Sequence, residues 1–125
     1  MITEGFSSNI VYSLMQDFGI PVYQGRRDYE TCDRVVIHSH KQVRTKCWME
    51  NFIEVNVVVL DEGNSAKMAL LKEYESKLLS KFYEDIVGEY EGTPYVISFE
   101  SLGIEEDSQT KSHYVNCKLK FSALR

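Results

Sequence analysis

No aliphatic run in the 125 residues is longer than residues 57–60, far short of the ~20 apolar residues that span a bilayer. The first residues lack a basic segment ahead of an apolar one, with Glu4 and Gly5 in its place. A cleavable signal peptide is therefore not expected. Cysteine is scarce: Cys32, Cys47 and Cys117 are odd in number and have no C-x-x-C spacing. A secreted chain would leave one of them over, so a reduced intracellular setting is the simpler expectation, with Cys117 a small core hydrophobe. Positive charge is also in deficit. Lys and Arg number 14 against 19 Asp and Glu, a net charge of −5, which argues against a general nucleic-acid binder. The chain holds no Ser/His/Asp elbow, no P-loop and no dinucleotide fingerprint, so neither enzymatic activity nor a cofactor is expected.

What is present suits one domain over residues 1–125 with one core. Hydrophobic residues make up 43% and aromatics 12%, too many for a disordered chain. Ser7, Ser8 and Asn9 offer helix caps, and Ile10, Val11, Leu14, Met15 and Phe18 follow at helical spacing up to Gly19 and Pro21. That pattern predicts a helix over 8–18 and a short extended stretch over 20–23. Residues 26–33 are polar and read as a loop. Residues 34–47 alternate loosely. Over 52–60 the alternation is strong, with Ile53, Val55, Val57 and Val59 on the core face.

Turn residues at 61–64 lead into a second helix capped by Asn64 or Ser65 and ended at Gly88, with Met68, Leu71, Leu78, Phe82 and Ile86 as its buried stripe. Pro94 opens the next strand, 103–110 reads as an acidic connection, and a last strand runs over 111–121 with its odd residues inward. The expected fold is α+β: a largely antiparallel sheet of about four to five strands, with two helices packed on one face.

Three groups of residues are candidate sites. His38 and His40 would share one strand face and could share a metal, but no further ligands stand at readable spacing. They read better as exposed strand residues, and no metal is expected. The second group is the carboxylate-free stretch holding Arg34, Lys41, Arg44 and Lys46, with Trp48 beside it. Such a face could bind single-stranded nucleic acid, but edge protection or a protein contact is the stronger expectation. Third come Glu105, Glu106 and Asp107, which lack the alternate spacing of a calcium loop.

The segments SSNIVYSLMQDFG, IPVYQGRRD, WMENFIEVNVVVLDEG, AKMALLKEYESKLLSKFYEDIVG and HYVNCKLKF, in that order over nearly the whole chain, resemble the phage tail-terminator family, also called tail-completion or minor tail proteins. The resemblance implies a ring-forming structural protein, usually hexameric when assembled. Such a ring caps the head-proximal end of the tail tube, halts its polymerisation and docks on the head connector. It further implies a phage or prophage origin, assembly in a bacterial cytoplasm and a place in the virion tail. The implied partners are itself, the major tail tube protein, the connector, and DNA passing through the lumen without sequence-specific binding. No residue-level site comes with it.

Charge placement supports a protein-binding role independently. Residues 84–107 hold eight carboxylates and no Lys or Arg. Residues 1–50 balance at zero, so the whole deficit falls in 51–125. Copies whose opposite patches meet head to tail can close a ring. The expected subunit interface thus comprises Arg34, Lys41, Arg44, Lys46, Trp48, Glu105, Glu106 and Asp107. Alternatively, the acidic residues line the lumen and keep DNA from sticking. A small nucleic-acid- or ligand-binding module using the face at 34–49 is the competing function.

Overall fold

The computed structural model describes residues 2–25 and 32–124; residues 26–31 of the expected loop lie outside the described part. The elements in order are α1 (Glu4–Leu14), a 3₁₀ turn (Gln16–Phe18), β1 (Val22–Gln24), β2 (Arg34–Ser39), β3 (Val43–Arg44), β4 (Trp48–Leu60), α2 (Met68–Phe82), β5 (Ile86–Tyr90), β6 (Thr93–Asp107) and β7 (Ser112–Leu124). The strands form one sheet in the order β1-β2-β4-β7-β6-β5, with β3 also paired to β4. All pairings are antiparallel except β1 with β2.

The expected α+β sheet of four to five strands is therefore corrected. The sheet has seven strands and curls into a half-barrel, and strand takes 50% of the structure against 25% for helix. The added strands are those with the weakest sequence signals. β3 has only two residues, too few for a period. The sequence pattern extends the second helix over β5 because Ile86 continues its spacing. The chain leaves the helix at Phe82 instead, where Glu84 and Asp85 would face the negative end of the helix dipole. Ile86 and Val87 then pair with β6, as β-branched residues favour.

Gly88 is consequently not a helix stop. It lies opposite Tyr95 in the β5–β6 ladder, and a Cβ there would run into the Tyr95 ring. That ring in turn stacks on Phe121 at 5.2 Å. The two strands turn at Glu91 and Gly92, both at positive φ (48° and 82°), as a two-residue hairpin of right-handed twist needs.

Other boundaries move for similar local reasons. Asn64 and Ser65 do not cap α2: Glu62 and Ser65 exchange backbone hydrogen bonds of 2.9 and 3.1 Å around Gly63, and the helix starts after Lys67. α1 begins at Glu4 rather than residue 8, so Ser7 and Ser8 sit inside it, buried. Ser7 Oγ donates to Glu4 O at 2.7 Å and meets Asn51 from β4, while Ser8 Oγ donates to Gln24 of β1 at 2.7 Å. β6 continues through most of the expected acidic connection, and only residues 108–111 turn.

One core fills one face of the sheet. Val35 and Ile37 of β2, Ile53 to Val59 at odd positions of β4, and Val115, Cys117, Leu119, Phe121 and Ala123 of β7 meet Val11 and Met15 of the first helical segment and Leu71, Tyr74, Leu78 and Phe82 of α2. Both helices thus cover the same side, and Lys81 of α2 ties them by donating to Leu14 O and Asp17 Oδ1, both at 2.8 Å. Burial pushes the Cys117 thiol up to about 12, as expected of an inert core residue.

Gly88→Ala is expected to displace Tyr95 from Phe121 and cost about 1–3 kcal/mol, the usual range for overpacking. A urea unfolding midpoint equal to wild type would contradict this.

Candidate subunit interface

The helix-free face of the sheet carries the even-numbered residues of β4 and β7. A polar group occupies its middle. Glu54 accepts from Asn116 Nδ2 at 3.1 Å and lies 2.7 Å from His40 Nε2; Asn116 also donates to Asn56 at 2.7 Å. Partial burial pushes the Glu54 carboxyl up, but the His40 and Asn116 hydrogen bonds and the charges of His40 and His38 outweigh it, so it ionises below its ordinary 4.5. Glu54 therefore contributes stability that is present above that ordinary value and lost as pH falls through the lowered one. His38 stands edge-on to His40 at 4.8 Å. Among the described residues, no three His, Cys, Asp or Glu side chains are grouped to hold a metal.

Seven of the eight expected interface residues fall into two separate places. Arg44 pairs with Met49, and Trp48 lies opposite Leu124, so both sit at one end of the long ladder. Lys41 and Lys46 flank β3 there, and all four side chains are exposed. Arg34 does not join them. It is opposite Val58, nine residues along β4 from Met49, or about 30 Å at ~3.3 Å per residue. Its side chain is only 4% exposed. Nη1 donates to Cys32 O at 3.1 Å, while Nε has no hydrogen-bond partner among the described residues.

Glu105, Glu106 and Asp107 end β6 opposite Tyr114, His113 and Ser112. Leu124 and Ser112 lie at the two ends of β7, twelve residues and about 40 Å apart. The acidic tip and the basic hairpin thus occupy opposite ends of the β4–β7–β6 ribbon. Asp107 has a local duty as well, accepting the Gln109 N–H at 3.1 Å within the turn. Glu105 accepts from the Tyr114 hydroxyl. That bond, with burial and the charges of Glu105, Asp107 and Glu54, pushes the phenol up to about 12. The rest of the cation-free run does not gather with them. Glu84 and Asp85 connect α2 to β5, while Glu89 and Glu91 sit near the basic end.

Several residues at the basic end escape a reading by charge. Val43, Trp48, Phe52 and Leu124 are exposed; the last three share the helix-free face through their even register on β4 and β7, and Val43 of β3 joins them by pairing with Glu50. Lys118 Nζ lies 4.3 Å over the Phe52 ring, and Lys120 pairs with Glu50 at 3.4 Å. The signal for this apolar patch was the even parity of 48, 52 and 124, opposite to the buried set. An exposed Trp beside Arg is the composition of an interface hot spot.

No protein-family model matches the sequence, and no curated protein matches it either. Fifteen chains of known structure match the fold. One of them superposes with TM-score 0.62 over 98% of this chain and 91% of its own, at 12% identity. Likeness at that identity establishes the fold alone. No helix among the described residues is long and apolar enough to cross a membrane.

Glu105→Gln is expected to bring Tyr114 ionisation down from about 12 toward its ordinary 10.0, because the replaced carboxylate supplies both the hydrogen bond and a repelling charge. A titration of the tyrosine ring resonances reads it, and an unmoved Tyr114 would refute the pairing.

Proposed function

We propose that the chain is a structural subunit of a phage or prophage tail that assembles into a ring, caps the head-proximal end of the tail tube, stops its growth and joins tail to head. The observation that supports this reading is the placement of opposite charge: an exposed cationic hairpin with Trp48 at one end of the ribbon and an exposed acidic tip at the other. Two different patches on one molecule make a heterologous contact, which generates rings or filaments rather than closed dimers. The N-terminal helix, long strand pair, second helix and final strand that carry the resemblance to tail terminators are all elements of this fold. Its partners would be further copies, the tube protein and the connector, with DNA passing through the lumen.

The competing reading is a module that binds single-stranded nucleic acid. What favours it is the alternation of Phe52 and Trp48 with Lys118 and Lys120 on one uncovered face, a stacking platform with cations beside it.

The double variant Arg44→Glu/Lys46→Glu is expected to remain folded and to lose assembly on tail tubes, giving tubes of uncontrolled length in electron micrographs. Normal tube length would sink the role of the basic hairpin. Tight single-stranded DNA binding that weakens steeply with salt would instead favour the nucleic-acid module.

A further inference from the structure

β6 has a long free edge. It pairs with β7 from Tyr95 to Asp107, but on its other side β5 reaches only from Thr93 to Ile97. Over 98–107, no described strand pairs with that side, and half of the backbone donors and acceptors there point away from β7. The edge is acidic, with Glu100, Glu105 and Glu106 exposed. The ladder to β7 shifts register between Phe99 and Ser101. Bulges and like charge are devices that keep two identical edges from pairing. They would admit an edge of opposite charge.

The opposite margin of the same sheet supplies one. Among the described strands β3 pairs only with β4, and Lys41, Arg44 and Lys46 lie exposed on and beside it. We infer that residues 98–107 of one copy take up the β3 edge of a second copy, so that the sheet runs from molecule to molecule. The inference rests on the ring reading and specifies how one copy meets the next.

Placing the middle of the free β6 segment against the centre of β3 is compatible with a closed assembly. The centre of β3 lies in the row Val43–Glu50–Ser122, and the middle of the free segment lies in the row Leu102–Cys117. These rows are five residues apart along β7, about 17 Å. From β6 through β7 and β4 to β3, and on to the next β6, there are four strand spacings, about 19 Å at ~4.8 Å each. Strands staggered by that much over that width are tilted about 40° from the ring axis, within the range at which sheets close into barrels. Trp48, Val43 and Leu124 stand at this junction and would be covered by the neighbouring copy.

The test uses two charge-reversed chains, Lys41→Glu/Arg44→Glu/Lys46→Glu and Glu100→Lys/Glu105→Lys, alone and mixed; with Leu102 facing Val43 antiparallel, Glu100 falls between Arg44 and Lys46 and Glu105 beside Lys41. Each is expected to remain monomeric alone. Their mixture is expected to associate, because each then offers an edge of opposite charge to the other; light scattering reads the mass. Amide exchange over 98–107 is expected to slow by at least about tenfold in the wild-type assembly relative to dilute protein.

A mixture that stays monomeric overturns the pairing. So does protection of 98–107 that appears only when another tail protein is added, since the occupant is then not a second copy. Rings whose β6 amides exchange as in the monomer overturn the edge contact while leaving the ring. Slowed β6 amides in a chain that never caps tail tubes support the edge contact and remove the tail function.

Discussion

The β4–β7 ladder carries the molecule. Thirteen consecutive residue pairs join Trp48–Leu60 to Ser112–Leu124, and along both strands the odd positions fall on the same side. From Ile53 to Val59, and at Val115, Cys117, Leu119, Phe121 and Ala123, that side is closed to solvent. A slip of one residue would turn every one of these side chains outward, so the register is held by the whole core at once. α1 and α2 have somewhere to bind only because that side is continuous, and β2 and β6 are placed by pairing with the two central strands.

The same alternation determines what faces the other way. Once odd positions are committed to the core, Trp48, Glu50, Phe52 and Glu54 must share the uncovered face with Asn116, Lys118 and Lys120. The polar cluster around Glu54 and the aromatic patch at Trp48 are thus the obligatory complement of the core. Charge then divides this surface along the strands. The exposed cations Lys41, Arg44 and Lys46 lie at one margin of the sheet, and the exposed Glu105 and Glu106 at the far end of β6.

Much of this was legible in the residues alone. The period-two run from Phe52 to Leu60 stands in the structure, and so do Leu71, Leu78 and Phe82 of the expected helical stripe, whereas Met68 at the start of α2 is exposed and Ile86 belongs to β5. Elements that owe their form to a neighbour were not legible. β5 reads as helix until Tyr95 is seen lying across Gly88. Residues 103–107 read as a connection because their acids mark an exposed edge rather than the absence of a strand. β3 exists only as the return of a hairpin. Arg34 illustrates the limit for the site: proximity in sequence grouped it with Lys41 and Arg44, while its pairing with Val58 sends it to the far end and into the interior. The candidate interface divides into two charged groups at opposite ends of the ribbon, and the apolar patch beside the basic one follows from the even parity of Trp48, Phe52 and Leu124.

The order of strands in the sheet also bears on how the chain acquires its shape. Its two central partners, β4 and β7, are separated in sequence by α2 and by the whole β5–β6 hairpin, so closing the ladder means ordering some fifty intervening residues first. Local hairpins such as β5–β6, turned by Glu91 and Gly92, can form early and alone. The central seam cannot, and high contact order of this kind makes folding slow. Until β7 meets β4, the β2–β4 half and the β5–β6–β7 meander are separate pieces with open edges between them. Closure of the β4–β7 seam is the step after which only the outer edges of the sheet are left open to pairing.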